Sequence, residues 1–455
     1  MASVNMTAMN DRQTYEGGPA SVIKPVEELK RSVMSCLLWE DTFYENGIAI
    51  ADRVRDLIGK VTQEEARQIL MDAKFKSKLR HMPLYLLILF AEKKWLKKED
   101  VAKVCTRADD MTELLALYWK NGKKPLDHQL VKGLAMKIPE FNEYALAKYN
   151  RDKTVKLRDV FRIARPVPKN DTQSALWKRV VTNTLAVPDT WEVAISACGD
   201  DNAKKAQEFT RMLTEKALDQ ETGKEFNKLG DLAFLRNLRN MREAGVDKEL
   251  IRESFKERSW RWIIPYQFIT AAKNNYWIED LLEKAMFTYL GNEEPINGKT
   301  AILIDISSSM RSIISGKTVV MRYDVAASLV VLLREICTDI KLYEFNDKLH
   351  EIPLHRGFGL HYYIAESIGG GTKMWGAIRD AARDRHNRLM IVITDEQTRD
   401  TGSFASANSD LLVIVNVAAY QNGVGYEKGI VHINGWSESV INWLQEYLKS
   451  EFEMI

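Results

Sequence analysis

A short apolar run that ends in a carboxylate and two hydroxyls constrains the fold of this chain most strongly. Residues 301–304 read Ala-Ile-Leu-Ile, and Asp305, Ser307 and Ser309 follow at alternate positions. A continuous apolar run of this length is typical of a strand that is buried on both faces, as in parallel sheets. The sequence therefore predicts that three oxygen-bearing side chains leave the carboxyl end of a buried strand.

Two further oxygen-bearing residues follow in a fitting order. Thr372 comes after the glycine run 369–371, and Asp395 ends a second apolar run over residues 389–394. Open α/β sheets bind ligands outside the carboxyl ends of their strands, so these segments can converge on one ion. Hard oxygens suit Mg²⁺ or Mn²⁺. The predicted metal ligands are Asp305, Ser307, Ser309, Thr372 and Asp395.

This set resembles the metal-ion-dependent adhesion site (MIDAS) of von Willebrand factor A domains. In such a site the hydroxyls contact the ion, and the carboxylates act directly or through water. The alternative is a solvated strand-to-helix turn in which Ser307 caps a helix. Lys373 follows Thr372, where related sequences often carry an acidic or neutral residue.

Strands and helices alternate after a turn-rich linker at residues 291–298. This alternation predicts a doubly wound parallel sheet over residues 291–455. The predicted strands are 300–306, 341–345, 389–395, 411–417 and 429–433, and the predicted helices are 322–338, 373–384 and 437–450.

The preceding residues, 21–290, show helical periodicity interrupted by short Gly, Pro or Asp breaks. Strings of short helices joined by tight turns predict an α-solenoid of helix pairs, and the alternative is an irregular helical domain, because no clean sequence period is present. Residues 1–20 show no periodicity and are predicted to be a flexible tail. The predicted fold class is thus multidomain, an all-α module followed by an α/β module.

Composition narrows the class of protein. A formal net charge of +2 over 455 residues argues against a uniformly basic nucleic-acid coat but allows a local basic face. The four cysteines are far apart and none has zinc-site spacing, which favours reduced thiols. The N-terminus lacks the apolar core of a signal peptide, and the apolar patch 83–91 is too short to cross a bilayer. We expect a cytoplasmic protein without a membrane partner.

Basic residues are dense between positions 148 and 179. Arg158, Arg162 and Arg165 are spaced by four and three, so they line one helix face, where they can contact phosphates. A solvated helix face is the alternative. The candidate RNA-binding residues are Lys78, Arg80, His81, Lys124, Lys148, Arg151, Lys156, Arg158, Arg162, Arg165, Arg236 and Arg239.

Several segments together resemble the Ro/TROVE family of RNA-binding proteins. They are residues 78–84, 118–126, 144–149, 156–160 and 235–239, joined by the Asp305 motif and by Thr394-Asp395-Glu396. The resemblance implies a HEAT-like helical ring followed by a von Willebrand A-like domain. It also implies Y-like small non-coding RNA on a basic outer surface, 3′ ends of misfolded RNA in the ring opening, and a ribonucleoprotein role in RNA quality control. An exoribonuclease is a further implied partner, and a self-closed ring predicts a monomer.

Two other function classes compete with an RNA-binding scaffold. One is a protein-interaction module that captures an acidic partner through the metal ion. The other is a Mg²⁺-dependent phosphohydrolase or nuclease. The sequence offers no nucleophile or general base with a defined role, and Gly369–Lys373 lacks the spacing of a phosphate-binding loop. We therefore predict no catalytic residues and no enzymatic activity.

Overall fold

The computed structural model of the chain describes residues 13–34, 38, 44–218, 225–260, 263, 265–288, 295–314, 319–383, 385–435, 440 and 444–445. Its first part is helical: α1 Pro25–Met34, α2 Gly47–Ile58, α3 Gln63–Met71, α4 His81–Glu92, α5 Lys98–Val104, α6 Ala108–Tyr118, α7 His128–Lys137, α8 Glu143–Lys148, α9 Leu157–Ala164, α10 Asp171–Thr182, α11 Trp191–Ala197 and α12 Asn202–Thr214. Two short antiparallel strands and four helices follow: β1 Lys216–Leu218, β2 Glu225–Asn227, α13 Asp231–Ala244, α14 Lys248–Ser254, α15 Pro265–Ala272 and α16 Glu279–Thr288.

The last part alternates strands and helices: β3 Ile296–Asp305, α17 Arg322–Ile336, β4 Cys337–Phe345, β5 Leu349–Ile352, α18 Gly357–Glu366, α19 Met374–Ala381, β6 Asn387–Thr394, β7 Ser409–Asn416 and β8 Ile430–Asn434. By packing, the chain divides into two compact units. The helical unit comprises Thr62–Lys228 and Glu243–Val246, and the sheet unit comprises Met1–Val61, Leu229–Arg242 and Asp247–Ile455.

The predicted division into residues 21–290 and 291–455 follows a change of secondary structure, whereas the two units follow packing. The two divisions describe different properties, and the domain boundaries stay a prediction.

The prediction of a flexible tail over residues 1–20 does not fit its described part. Thr14 is buried, and its hydroxyl donates a 2.6 Å hydrogen bond to the carbonyl of Thr398 within the sheet unit.

In the helical unit, helices pack against helices that are close in sequence. Helix α5 packs on α7, α6 and α7 pack on α9, α9 packs on α10, and α11 packs on α12. Such neighbour-to-neighbour packing is typical of stacked helix pairs. Gly133 on α7 is required there, because a Cβ atom at this position would lie 2.5 Å from the Cβ of Val101 on α5.

The sheet unit is built on a six-stranded sheet of order β5-β4-β3-β6-β7-β8. All neighbouring pairs are parallel except the pair of β4 with the edge strand β5. Ala301 and Leu303 of β3 pack with Trp375 of α19 on one face. Ile302 and Ile304 alternate to the opposite face and are also fully buried, and α17 packs against β3 as well.

This architecture confirms the predicted fold class, an all-α part combined with a doubly wound, mostly parallel sheet. The five predicted strands correspond to β3, β4, β6, β7 and β8. Edge strand β5 and helix α18 were not predicted, since β5 has four residues and α18 begins with Gly-Phe-Gly. Most of the predicted helix 437–450 lies outside the described residues.

No helix among the described residues combines the length and the apolar character that spanning a membrane would require. Cys105, Cys198 and Cys337 are free thiols, and Cys36 lies outside the described residues.

Candidate functional site

The loop that follows β3 arranges the first three predicted metal ligands. Asp305 is the last residue of β3 and is fully buried. The backbone N–H of Ser307 donates a 2.8 Å hydrogen bond to Asp305 Oδ1, and the hydroxyls of Ser307 and Ser309 lie 3.2 Å apart. Ser307 precedes a 3-10 turn, Ser308–Arg311, but its side chain makes no capping hydrogen bond. Ser307 therefore does not act as the helix cap that the alternative interpretation predicts.

The glycine run brings Thr372 to the same loop. The N–H of Gly369 donates to the carbonyl of Ile306 at 2.7 Å, and the N–H of Ser308 donates to the carbonyl of Gly370 at 3.1 Å. Gly370 adopts φ +87°, a left-handed conformation that favours glycine. These two backbone bonds hold the segment before Thr372 against the segment that carries the serines.

The end of β6 supplies the third segment. The Thr394 hydroxyl donates a 2.6 Å hydrogen bond to Asp305 Oδ2, so β6 and β3 end side by side at the site. Asp395 follows, and its Oδ1 accepts from the N–H of Gln397 at 3.2 Å. The Thr372 carbonyl accepts from the N–H of Arg399 at 3.0 Å, which ties the Thr372 loop to the Asp395 loop. All five predicted ligands thus belong to three adjoining loops.

The electrostatics of this site are unfavourable without a cation. Burial, together with the charge of Asp395, raises the pKa of Asp305, and burial raises the pKa of Asp395 despite the opposing charge of Arg322. The Arg322 guanidinium is 3.9 Å from Asp395 Oδ2 and only partly compensates that charge. Two buried carboxyls held side by side favour uptake of either a proton or a metal ion.

Among the residues that the structure describes, two buried oxygens at the site have no hydrogen-bond partner, Thr372 Oγ1 and Asp395 Oδ2. Unpaired buried polar atoms are rare in proteins, and water or a bound ion is their usual partner. The described residues hold no group of three or more His, Cys, Asp and Glu side chains suited to a metal. Hydroxyl oxygens provide most ligands of an adhesion-type site, so the donor set of Ser307, Ser309 and Thr372 with two carboxylates fits a hard divalent cation.

Glu396, the third carboxylate near the motif, is committed elsewhere. Its Oε2 forms a 2.5 Å ion pair with Arg31, and both side chains are fully buried. Burial opposes the ionised form, but Arg31 and His432 outweigh it and lower the pKa of Glu396. Glu396 therefore fastens α1 to the sheet within the sheet unit.

Arg80 and His81, two of the predicted RNA-binding residues, lie in an ion-pair cluster of the helical unit. We call this the α6 acid cluster: it comprises Asp109, Asp110 and Glu113 of α6 with their basic partners. Arg80 is 2.6 Å from Asp109, 3.2 Å from Asp110 and 3.0 Å from Glu113. His81 is 3.0 Å from Glu113. The further basic partners are Lys74, Arg107 and Lys153. Arg80 and His81 thus have an internal use, and their contact with RNA stays a prediction.

The arginines of α9 have a different environment. Leu157, Val160, Phe161 and Ala164 of this helix are buried, while Arg162 and Arg165 are exposed. Within the described part of the chain, Arg158, Arg162 and Arg165 form no ion pair, and the buried Nε of Arg158 has no hydrogen-bond partner. Arg165 ends the helix in a left-handed conformation with φ +47°. Arg162 and Arg165 are therefore exposed cations that have no ion pair among the described residues, whereas Arg158 is partly buried.

The remaining predicted RNA-binding residues are dispersed. In the helical unit, Lys124 is 3.2 Å from Glu92, Lys148 lies over the rings of Tyr144 and Tyr149, Lys156 pairs with Asp152, and Arg151 is exposed. Lys78 is exposed with φ +52°. Arg236 and Arg239 are exposed on α13 and belong to the sheet unit. The structure thus distributes the predicted residues over both units.

Sequence reasoning missed several residues that shape these sites. Thr394 contributed only to the family resemblance, although its hydroxyl contacts Asp305. Arg322 has no spacing signal that links it to Asp395. Asp109 and Asp110 occur as an adjacent acidic pair, which was the available signal for the α6 acid cluster.

Comparison with known proteins tests the fold. No protein-family model matches the sequence, and no curated protein matches it by sequence. The crystal structure of the Deinococcus radiodurans Ro (RSR) protein is similar to this chain with a TM-score of 0.58 at 16% sequence identity. The match covers 93% of this chain and 100% of the solved chain. The resemblance predicted from the sequence motifs is confirmed at the level of fold: this chain has a Ro/TROVE-like fold.

Proposed function

We propose that this protein is a non-catalytic RNA-binding scaffold. It binds small structured non-coding RNA and the unpaired 3′ ends of misfolded RNA, as a ribonucleoprotein in RNA quality control. The observation that carries the proposal is the exposed Arg162 of α9 together with the exposed Arg165 that ends this helix, in a chain whose fold is similar to that of a Ro protein. Guanidinium groups without an internal carboxylate partner are suited to bidentate phosphate contact.

Aromatic side chains near the basic residues support binding of unpaired bases. Tyr144 is 53% exposed, and the ammonium of Lys148 lies 5.8 Å from its ring centre. Exposed rings beside cations are the usual elements of single-strand binding, since bases stack on the ring while the cation attracts the phosphate.

The test is charge reversal on α9. We expect Arg162→Glu with Arg165→Glu to weaken binding of a hairpin RNA with a single-stranded 3′ tail at least about tenfold. The dependence of log K on log salt should fall by about 0.7 for each phosphate that the variant no longer neutralises. The matched control is Lys103→Glu with Lys132→Glu, which reverses two charges on α5 and α7. An equal reduction of affinity in both double variants, or wild type that does not bind RNA at low salt, would contradict the proposal.

A second function is favoured by the unpaired oxygens at the end of β3 and β6. Ser307, Ser309 and Thr372 would hold Mg²⁺ or Mn²⁺, with Asp305 and Asp395 acting directly or through water. A bound ion with few charged ligands supplies an electrophilic centre that accepts a carboxylate from an acidic protein partner. The support for this is the pair of buried, unpartnered atoms Thr372 Oγ1 and Asp395 Oδ2.

Thr372→Val tests the cation site with little change in shape. Valine removes the hydroxyl that has no internal partner, so stability in EDTA should be unchanged or slightly higher. Affinity for Mg²⁺, measured by calorimetry, should fall at least about tenfold, because the variant has one ion ligand fewer. Thr401→Val, at an exposed position, is the control. Equal Mg²⁺ affinity in the two variants would exclude Thr372 as a ligand.

A further inference from the structure

Lys373 directly follows Thr372 of the predicted cation site, and the fold holds its backbone in place. Consecutive Cα atoms are about 3.8 Å apart. The Thr372 carbonyl accepts from the N–H of Arg399 at 3.0 Å and from the hydroxyl of Thr398 at 3.2 Å. The N–H of Lys373 donates to the carbonyl of Asn346 at 2.8 Å. Both polar groups of the peptide unit that joins Thr372 to Lys373 are therefore bonded, so the lysine side chain starts from a fixed point beside the site.

The charge of Lys373 has no use within the described part of the chain. Its side chain is exposed and forms no ion pair among the described residues. Lys373 is the N-cap residue of α19, but its side chain makes no capping hydrogen bond. Asp400 instead accepts from the first N–H groups of this helix, from Trp375 at 3.2 Å and from Gly376 at 2.6 Å. A cation beside a helix N-terminus is electrostatically unfavourable, so the fold does not explain a lysine at this position.

Arg379 adds a second positive charge close to Lys373. A Cβ atom at Gly376 would lie 3.8 Å from Lys373 Cβ, 3.8 Å from Arg379 Nη2 and 3.3 Å from Asp400 Oδ2. Arg379 is 3.9 Å from Asp400 Oδ2 and donates to the carbonyl of Thr401 at 3.1 Å. Asp400 thus already has a cation and two N–H groups as partners. The charge of Lys373 stays uncompensated among the described residues.

Arg399 is an exposed cation on the other side of Thr372, and its environment differs. A Cβ atom at Gly371 would lie 2.1 Å from Arg399 Nη2, so the guanidinium packs on the residue before Thr372. Arg399 is 2.8 Å from Glu16 and 3.7 Å from Asp347. Of the two cations that flank Thr372, Arg399 therefore has carboxylate partners inside the sheet unit, and Lys373 is available to a carboxylate from outside.

We propose that Lys373 makes the second contact to an acidic partner of the cation site, so that the site selects a protein segment with two neighbouring carboxylates. The inference rests on the cation site proposed above and names the feature of the partner that it recognises. One carboxylate of the segment would bind at the ion, and the other would pair with the Lys373 ammonium, which a flexible four-carbon stem carries. Lys373 repels the ion because both are positive, and the second carboxylate offsets that repulsion.

Lys373→Gln should have opposite effects on the two ligands, which separates a role in specificity from a structural role. In the full chain at low salt, calorimetry measures the affinity for Mg²⁺ and then, at saturating Mg²⁺, the affinity for two capped peptides, Gly-Asp-Gly-Asp-Gly and Gly-Asp-Gly-Asn-Gly. Wild type should prefer the two-acid peptide at least about fivefold, more than the factor of about two that a second carboxylate gives statistically. Lys373→Gln should lose this preference and bind Mg²⁺ at least about twofold more tightly, because it removes a like charge.

Lys299→Gln is the matched control. Lys299 is exposed on β3, six residues before Asp305 and therefore about 20 Å from the site, so this variant should match wild type in both measurements. Three results overturn this inference alone: wild type that binds Mg²⁺ but does not prefer the two-acid peptide, Lys373→Gln that keeps the preference, or inorganic phosphate that binds more tightly than the two-acid peptide. Failure of wild type to bind Mg²⁺ overturns the cation site and this inference with it.

Discussion

In the described part of the chain, two groups of buried or half-buried carboxylates differ in how much positive charge the protein places beside them. In the helical unit, Arg80, Lys74, Arg107 and Lys153 form ion pairs with the α6 acid cluster, and His81 contacts Glu113. In the sheet unit, Asp305 and Asp395 have a single approaching cation at 3.9 Å among the described residues, Arg322. The first cluster is complete as it stands, and the second lacks positive charge.

The difference separates carboxylates that the protein itself neutralises from carboxylates that a bound cation would stabilise. Five basic side chains surround the three carboxylates of the α6 acid cluster, so the cluster should have little affinity for an external ion. Two of the five, Arg80 and His81, are predicted RNA contacts that already have a partner inside the protein. The pKa values of Asp305 and Asp395 stay raised because Arg322 and the local hydrogen bonds only partly offset the effect of burial. A site that is unfavourable alone is the one that gains most from binding a cation.

The largest expected effect is that of removing Arg80. Arg80→Met should leave the buried Asp109 and Asp110 with fewer cations and lower the free energy of unfolding by about 3 kcal/mol. Urea unfolding measures it. The control is Lys76→Met, since Lys76 is exposed and pairs with Asp72 on the surface, where a decrease below about 0.5 kcal/mol is expected. Equal effects of the two substitutions would show that the α6 acid cluster is not held by its cations.

In the sheet unit, removal of a charged side chain is expected to raise the free energy of unfolding. Asp305→Asn in EDTA at pH 8 should raise the free energy of unfolding by about 1 kcal/mol, because it removes one of two uncompensated buried carboxylates. Adding Mg²⁺ should stabilise wild type but not the variant, since only wild type keeps the ion ligand. Asp410→Asn, at an exposed position that pairs with His386, is the control. Destabilisation by Asp305→Asn in EDTA would mean that the protein itself compensates the pair.

The smallest effect is a pH dependence in the α6 acid cluster. Burial opposes ionisation of Glu113, but hydrogen bonds from His81 and Lys153 and the charge of Arg80 lower its pKa to about 2. A lowered folded-state pKa stabilises the protein above the unfolded-state value, about 4.3, and this contribution is lost as the pH falls toward 2. Wild type should therefore lose more stability than Glu113→Gln between pH 5 and pH 3.

The expected difference is about 1 kcal/mol, after a discount for solvent screening at this half-buried position. Urea unfolding at pH 5, 4 and 3 measures it. The control is Glu140→Gln, because Glu140 is exposed and pairs with Lys137. A wild-type protein no more acid-sensitive than Glu113→Gln would show that Glu113 contributes no pH-dependent stability.

Local patterns predicted the sheet well because each central strand is encoded by its own apolar run. The run at 301–304 and the run at 389–394 identify β3 and β6, and the polar residues that end them identify the site. Helix α3 is likewise local, since Thr62 and Glu65 form the capping box that begins it. Strand β5 was missed because a four-residue edge strand is specified mainly by its pairing with β4.

The pairing of charges could not be predicted, because it depends on contacts between residues that are distant in sequence. The sequence alone does not distinguish Arg80 from Arg158 or Arg236. In the structure, Arg80 pairs with carboxylates of α6, whereas Arg158 is partly buried on α9 and Arg236 is exposed on α13. The contacts of Thr14, Tyr15 and Glu16 could not be predicted for the same reason. Their partners, Thr398, Gln397 and Arg399, are more than 380 positions away.

The sequence by itself determined the order of elements, the buried strands and the oxygen-rich strand ends, since these follow from hydrophobic period and local turn chemistry. Only the tertiary structure decided which carboxylates receive several protein cations and which are buried with little positive charge nearby. Coulomb energies depend on distance and burial, and both are set by chain segments that meet only on folding.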